Sequence, residues 1–345
     1  MSGDTYRTPP WLPGGHLQTI WGVVAPRPAV DYRRERWELP DGDFLDLDWV
    51  ESPPDAPLVV LFHGLEGSSD GHYARALMAA VHARDWRGVV VHFRGCSGEP
   101  NRLPRAYHAG DSTEIGYVLN RLRRDHPGRQ IHAVGVSLGG NALLKWLGEQ
   151  GEAAEVVVRR AAAIGAPLDL PAAGAALDRG FNRVYAARFL KSLKRKALDK
   201  LDRFPGLYDR AALEAIDSIL GFDDLVTAPL HGFRDAEEYW TRSASKPWLK
   251  HIRVPTLVLN ARNDPFLPAE VLPSAAQVSD RVTLDQPEAG GHVGFVGGWF
   301  PGHLNWLPGR VLGFLETDRG FAPRLRAASA IRPVPRAGSN PPYGR

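Results

Sequence analysis

The chain has 345 residues, 43% of them hydrophobic and 23% charged, enough apolar content for a sizeable core and too much for bulk disorder. The formal net charge of +3 is carried by one end: residues 322–345 hold Arg324, Arg326, Arg332, Arg336 and Arg345 and no acids, so the body without them stands at −2. That excludes a basic nucleic-acid-binding fold, and the lone Cys96 excludes an internal disulfide framework and a cysteine-based zinc site.

Residues 1–30 read as an N-terminal segment packing on the core. They show no basic region followed by an apolar stretch, so no signal peptide is expected, and no run of about 18 apolar residues occurs anywhere, so no transmembrane helix is predicted. A cytoplasmic protein is the expectation. Residues 33–39 and 44–50 follow as two short strands around Pro40-Asp41-Gly42-Asp43, which predicts a hairpin. After them apolar runs alternate with helical stretches. Runs 57–62, 88–93, 130–136 and 156–164 predict strands, and stretches 73–86, 111–124 and 138–149 predict helices. Asp111 and Glu114 stand at capping-box spacing at the start of one of these helices.

Continuous apolar strands separated by helices predict a mostly parallel sheet covered on both faces, an α/β class fold. The alternation stops at Pro167 and resumes at 254–259, with a further strand at 281–284 and a last helix at 307–317. The intervening segment is rich in Leu, Arg and Lys, and far longer than the dozen or so residues that a parallel crossover requires. The expected organisation is a core of 31–167 and 251–320, a helical cap inserted at 168–250, and a disordered, basic tail at 321–345.

The sharpest motif is Gly135-Val136-Ser137-Leu138-Gly139, set between an apolar strand and a helix. A serine on so tight a turn is pushed outward at the carboxyl end of the sheet, while the glycines let strand and helix approach. Ser137 is the candidate nucleophile. A serine hydroxyl needs a base, and the base needs an acid to hold its tautomer. In chain order the candidates are Asp264, after the strand at 254–259, and His292, after Gly290 and Gly291; they stand 127 and 28 residues along, respectively. The backbone amides of Leu138 and Leu65, the latter in His63-Gly64-Leu65-Glu66-Gly67 after an earlier strand, are the candidate oxyanion donors. His63 is expected to hold its loop rather than react, and Cys96 to be a small buried residue. The basic amphipathic stretch 189–201 is expected to be a cap helix with a solvated face, which leaves peripheral membrane contact open. His16, His231 and His303 lack ligand-spaced partners, so neither a metal nor any other cofactor is expected.

These motifs together resemble the YheT-like family of α/β-hydrolases. The resemblance rests on His16 to Trp21, His63 to Gly67, Phe93 to Asn101, the Ser137 turn, Phe222 through Phe233, Asn263-Asp264-Pro265 and Gly290-Gly291-His292, and spans about residues 10–318. It implies an α/β-hydrolase fold with a helical cap and a triad of Ser137, Asp264 and His292. It also implies hydrolysis of carboxylic esters, with an acyl ester or acyl lipid as substrate. Two other functions stay open at this point: an acyltransferase that makes esters by alcoholysis, and a catalytically silent binding protein. Acyl chain length and oligomeric state are not legible.

Overall fold

The structure is a computed structural model and describes residues 5–53 and 55–317. Its elements in chain order are α1 (Gly15–Val24), β1 (Arg33–Glu38), β2 (Phe44–Val50), β3 (Leu58–Phe62), α2 (His72–His82), β4 (Arg87–Val91), α3 (Ser112–Asp125), β5 (Ile131–Val136), α4 (Leu138–Gln150) and β6 (Arg160–Ile164). The insertion follows as α5 (Leu170–Leu177), α6 (Asn182–Arg203), α7 (Arg210–Ala215), α8 (Ile219–Phe222), α9 (Ala228–Leu230) and α10 (Ala236–Ser243), with a π-turn at Asp223–Thr227. The chain then returns as β7 (Thr256–Leu259), β8 (Val282–Asp285) and α11 (Trp306–Glu316).

The eight strands form one sheet in the order β1-β2-β4-β3-β5-β6-β7-β8. β1 pairs with β2 and β2 with β4 antiparallel, and every later pairing is parallel. The central strands β3 and β5 are buried along their whole length because helices cover both faces. β2 is also wholly buried, yet it alternates Leu45, Leu47 and Trp49 with Asp46 and Asp48. Buried carboxylates need partners: Arg36 donates to Asp46 at 2.7 and 2.8 Å, and Asp48 accepts from Arg34, His92 and Ser69 at 2.6 to 2.9 Å. These contacts hold the Asp48 carboxyl well below the usual carboxylate range.

Two expected elements differ in detail. The run at 156–164 is a strand only from Arg160, because Gly151–Val156 is a 3-10 turn. Asp111 does cap α3 by accepting from the Glu114 amide at 3.3 Å, but Glu114 does not reach back. Its carboxyl oxygen Oε2 accepts from buried Arg94 at 2.6 Å instead, so the box is half made. The arginine-rich tail lies outside the described residues.

Candidate active site

Ser137 sits at the turn between β5 and α4 with φ 53°, ψ −122°. A non-glycine residue held at positive φ stores roughly 1–3 kcal/mol of strain and persists only where its surroundings fix it. Here the surroundings are tight. The Ser137 amide donates to the Ile164 carbonyl at 2.8 Å. A Cβ at Gly139 would stand 2.5 Å from the Phe62 and His63 carbonyl oxygens, so only glycine allows α4 to begin there.

His292 lies on the loop after β8. Its Nε2 is 3.0 Å from Ser137 Oγ and its Nδ1 is 2.8 Å from Asp264 Oδ2. The carboxylate only accepts, so Nδ1 carries the proton and the Nε2 lone pair faces the serine hydroxyl. Asp264 follows β7, its side chain is buried, and its other oxygen accepts from the Phe266 amide at 2.8 Å. The Phe266 ring covers the imidazole at 4.2 Å between centroids. The three side chains singled out in the sequence thus lie in one hydrogen-bonded line.

The loop His63–Gly67 closes the other side of Ser137. A Cβ at Gly64 would stand 3.0 Å from Ser137 Cβ and 3.6 Å from its Oγ, so only a glycine lets this loop pass so close to the serine. Among the described residues neither the Leu65 nor the Leu138 amide has a protein acceptor, and both residues line the cavity with Ser137 and His292. His63 is fully buried and donates from Nδ1 to the Gly64 carbonyl at 2.7 Å, while its Nε2 accepts from the Phe93 amide at 3.1 Å. Burial pushes its pKa down to about 3, so the ring is a neutral brace for the loop. Cys96 also lines the cavity, and burial pushes its thiol up to about 12, far from the thiolate a nucleophile requires.

Several residues that hold this arrangement carry no role that is legible in the sequence. Gln18 and Thr19 of α1 reach under the histidine loop. The His292 amide donates to Thr19 Oγ1 at 2.8 Å and the Gly290 amide to Gln18 Oε1 at 2.8 Å. Asn263 bridges them, donating to Gln18 Oε1 at 3.1 Å and accepting from the Gly291 amide at 2.9 Å. Their only signal was membership of the His16–Trp21 and Asn263–Pro265 motifs.

Above Ser137 is a cavity of about 660 Å³, the size of a small-molecule site. Leu170, Leu177, Phe189, Leu193, Phe222 and Val226 of the insertion form much of its wall. Two lysines of α6 depart from the expected solvated face. Lys196 donates to Glu66 Oε1 at 2.8 Å, and Lys200 is buried, donating to Asn101 Oδ1 and the Leu103 carbonyl at 2.7 Å each. They tie the long cap helix to the loops after β3 and β4.

Residues 57–298 match the family model of the alpha/beta hydrolase fold, and the chain belongs to that family. Within it the chain is a member of the YheT-like group. It is 42% identical over 288 residues to "Putative esterase YheT" of Escherichia coli, covering 82% of this chain and 84% of that protein. It is also 28% identical to "Phospholipase ABHD3" of Mus musculus, over 88% of this chain and 76% of that one. Among solved structures, the Pyrococcus furiosus esterase Pf2001 has the same fold, with a TM-score of 0.54 at 16% identity, covering 84% of this chain and 97% of that one. Among the described residues no helix is long and apolar enough to cross a membrane.

Proposed function

We propose that the protein hydrolyses carboxylic esters of apolar acyl groups, acyl lipids included, through an acyl-enzyme on Ser137. His292 removes the hydroxyl proton as Oγ attacks the ester carbonyl. The oxyanion that forms is held by the amides of Leu65 and Leu138, each such donor being worth about a hundred- to a thousand-fold in rate. The alkoxide leaves with the proton from His292, and a water, deprotonated by the same imidazole, releases the acid. Asp264 keeps the ring in its reactive tautomer and stabilises the imidazolium.

The observation that carries this reading is the unbroken Asp264–His292–Ser137 line at the floor of a cavity walled by cap leucines and phenylalanines. The test is hydrolysis of p-nitrophenyl esters of rising acyl length by wild type and Ser137→Ala. Loss of kcat by about 10⁴-fold or more in the variant supports the assignment. Equal rates in both would overturn it. Ester formation outrunning hydrolysis in water–ethanol mixtures would make the protein an acyltransferase on the same serine.

A further inference from the structure

Helix α1 is amphipathic the wrong way round. Its buried positions are Gln18, Thr19 and Gly22, which are polar or small. Leu17, Ile20, Trp21 and Val24 occupy positions i, i+3, i+4 and i+7 and so form one stripe. Leu17, Ile20 and Val24 are exposed on it, Val24 to 61%. The polar side of the helix is spent on bracing the His292 loop, and the apolar side faces water.

The stripe has neighbours. The rings of Trp11 and Trp21 meet at 5.5 Å, and each meets Phe300 at 5.6 Å. Their indole N–H groups donate to the carbonyls of Gly298 and Pro301 at 3.0 and 2.8 Å, which fastens the loop 297–303 beside α1. At the tip of that loop Trp299 is 91% and Phe300 70% exposed. On the other flank His16 meets Phe181 at 4.8 Å and stacks on Tyr185 at 5.9 Å, joining α1 to exposed Phe181 and Val184 at the start of α6. Ring contacts then run inward from Tyr185 to Phe266 at 4.9 Å and from Phe266 to His292 at 4.2 Å. A contiguous apolar face of this kind marks a surface that is covered when the protein works.

Its charge indicates by what. The segments 5–31, 178–188 and 287–309 that build the face hold Arg7, Arg27, Arg179, Arg183 and Arg188 against Asp31, Asp178 and Glu288, a net charge of +2. All five arginines are exposed, with Arg183 3.8 Å from Asp217 on the open surface. A second copy docked on this face about a two-fold axis would set two surfaces of the same positive sign against each other. An anionic lipid surface satisfies both features, since tryptophan settles at the headgroup level and basic residues are drawn to the negative surface potential.

We propose that α1, the 297–303 loop and the start of α6 together dock the protein on an anionic lipid surface, with Trp299 and Phe300 as the inserted tip. Docking is a binding event and stands apart from the esterase reading, so it is tested without turnover. Full-length Ser137→Ala protein is sedimented with phosphatidylglycerol–phosphatidylcholine vesicles. Trp299→Ser and the pair Leu17→Gln, Val24→Gln are made in the same background, and thermal midpoints establish that each is folded. All forms keep the arginine-rich tail, so its attraction to the vesicles is common to them. The expected result is salt-sensitive binding by the parent and an affinity weaker by about tenfold or more in both variants. A parent that stays in the supernatant overturns the proposal, as do folded variants that bind as tightly as the parent. So does a parent dimer in sedimentation velocity that these substitutions split while vesicle binding is absent, which would assign the face to a second copy.

Discussion

The sheet side of the cavity holds its reactive groups by short bonds to rigid elements. Ser137 is fixed by the β5–α4 turn and by its amide bond to β6, and Asp264 by His292 and the Phe266 amide. The His292 loop is braced from below by Gln18, Thr19 and Asn263. The cap side is built from leucine and phenylalanine side chains on helices, fastened at a few polar points such as Lys196–Glu66 and Lys200–Asn101. A hydrogen-bonded wall fixes where atoms react, since displacement by about 1 Å costs on the order of a hundredfold. An apolar wall fixes what fits, since a methylene gained or lost is worth roughly 1–3 kcal/mol. Substitutions on the two sides should therefore fail in different ways.

The largest effect is expected at the acid. Asp264→Asn keeps the shape but lets the ring take the wrong tautomer, and kcat on a soluble short ester should fall about 10⁴-fold with KM little changed. A fall of less than tenfold would mean that the carboxylate is structural. Thr19→Val removes the acceptor of the His292 amide without touching the cavity. We expect kcat to drop by about ten- to a hundredfold across all acyl lengths; a loss confined to long acyl chains would put Thr19 with the cap. Leu193→Trp in α6 should do the reverse, sparing short esters and lowering kcat/KM about tenfold or more on long ones. Equal losses on both would show that the cap also positions the chemistry.

The smallest effect concerns stability in acid. Burial pushes the pKa of His63 down to about 3, and those of His72, His108 and His132 down to about 4. Burial raises Glu114 to about 7 and Asp223 to about 6. Between roughly pH 6 and 4.5 the unfolded chain protonates the four imidazoles, which stay neutral when folded, while the folded chain keeps the two carboxyl protons that the unfolded one releases. The imidazoles outnumber the carboxyls, so stability falls as the pH falls. His132, stacked on Trp86 at 5.5 Å, lies on β5 away from the cavity. His132→Phe should flatten the slope by about 1.4 kcal/mol per pH unit, read from urea midpoints across that window. An unchanged slope would mean that this imidazole titrates in the folded state.

Much of the fold was legible because its signals are local. Apolar runs such as 57–62 and 130–136 are buried strands, and Gly135 to Gly139 marks a turn that only glycine neighbours permit. Chain order then picked out Asp264 and His292, and the three side chains meet. What stayed illegible depends on tertiary partners. Helix α1 has a period-3.6 apolar stripe, but that stripe faces outward, so the usual inference of which face is buried inverts. Lys200 is indistinguishable in sequence from its solvated neighbours until Asn101 and two carbonyls close around it. Glu114 stands at capping-box spacing, yet Arg94, twenty residues earlier, provides a stronger partner than the Asp111 amide.

One further property follows from where the insertion begins and ends. β6 and β7 are sheet neighbours, with Ala161 opposite Thr256 and Ile164 opposite Leu259, and the Lys246 amide donates to the Leu168 carbonyl at 3.0 Å. All the chain between them leaves and rejoins the scaffold at a single pinned gate. Because the cost of closing a loop grows only with the logarithm of its length, roughly 0.6 kcal/mol per doubling, such a gate tolerates excursions of very different size. An excursion longer or shorter than this one can therefore be carried at the same place with the register of β6 and β7 unchanged, provided that the loops after β3 and β4 find other partners for Glu66 and Asn101.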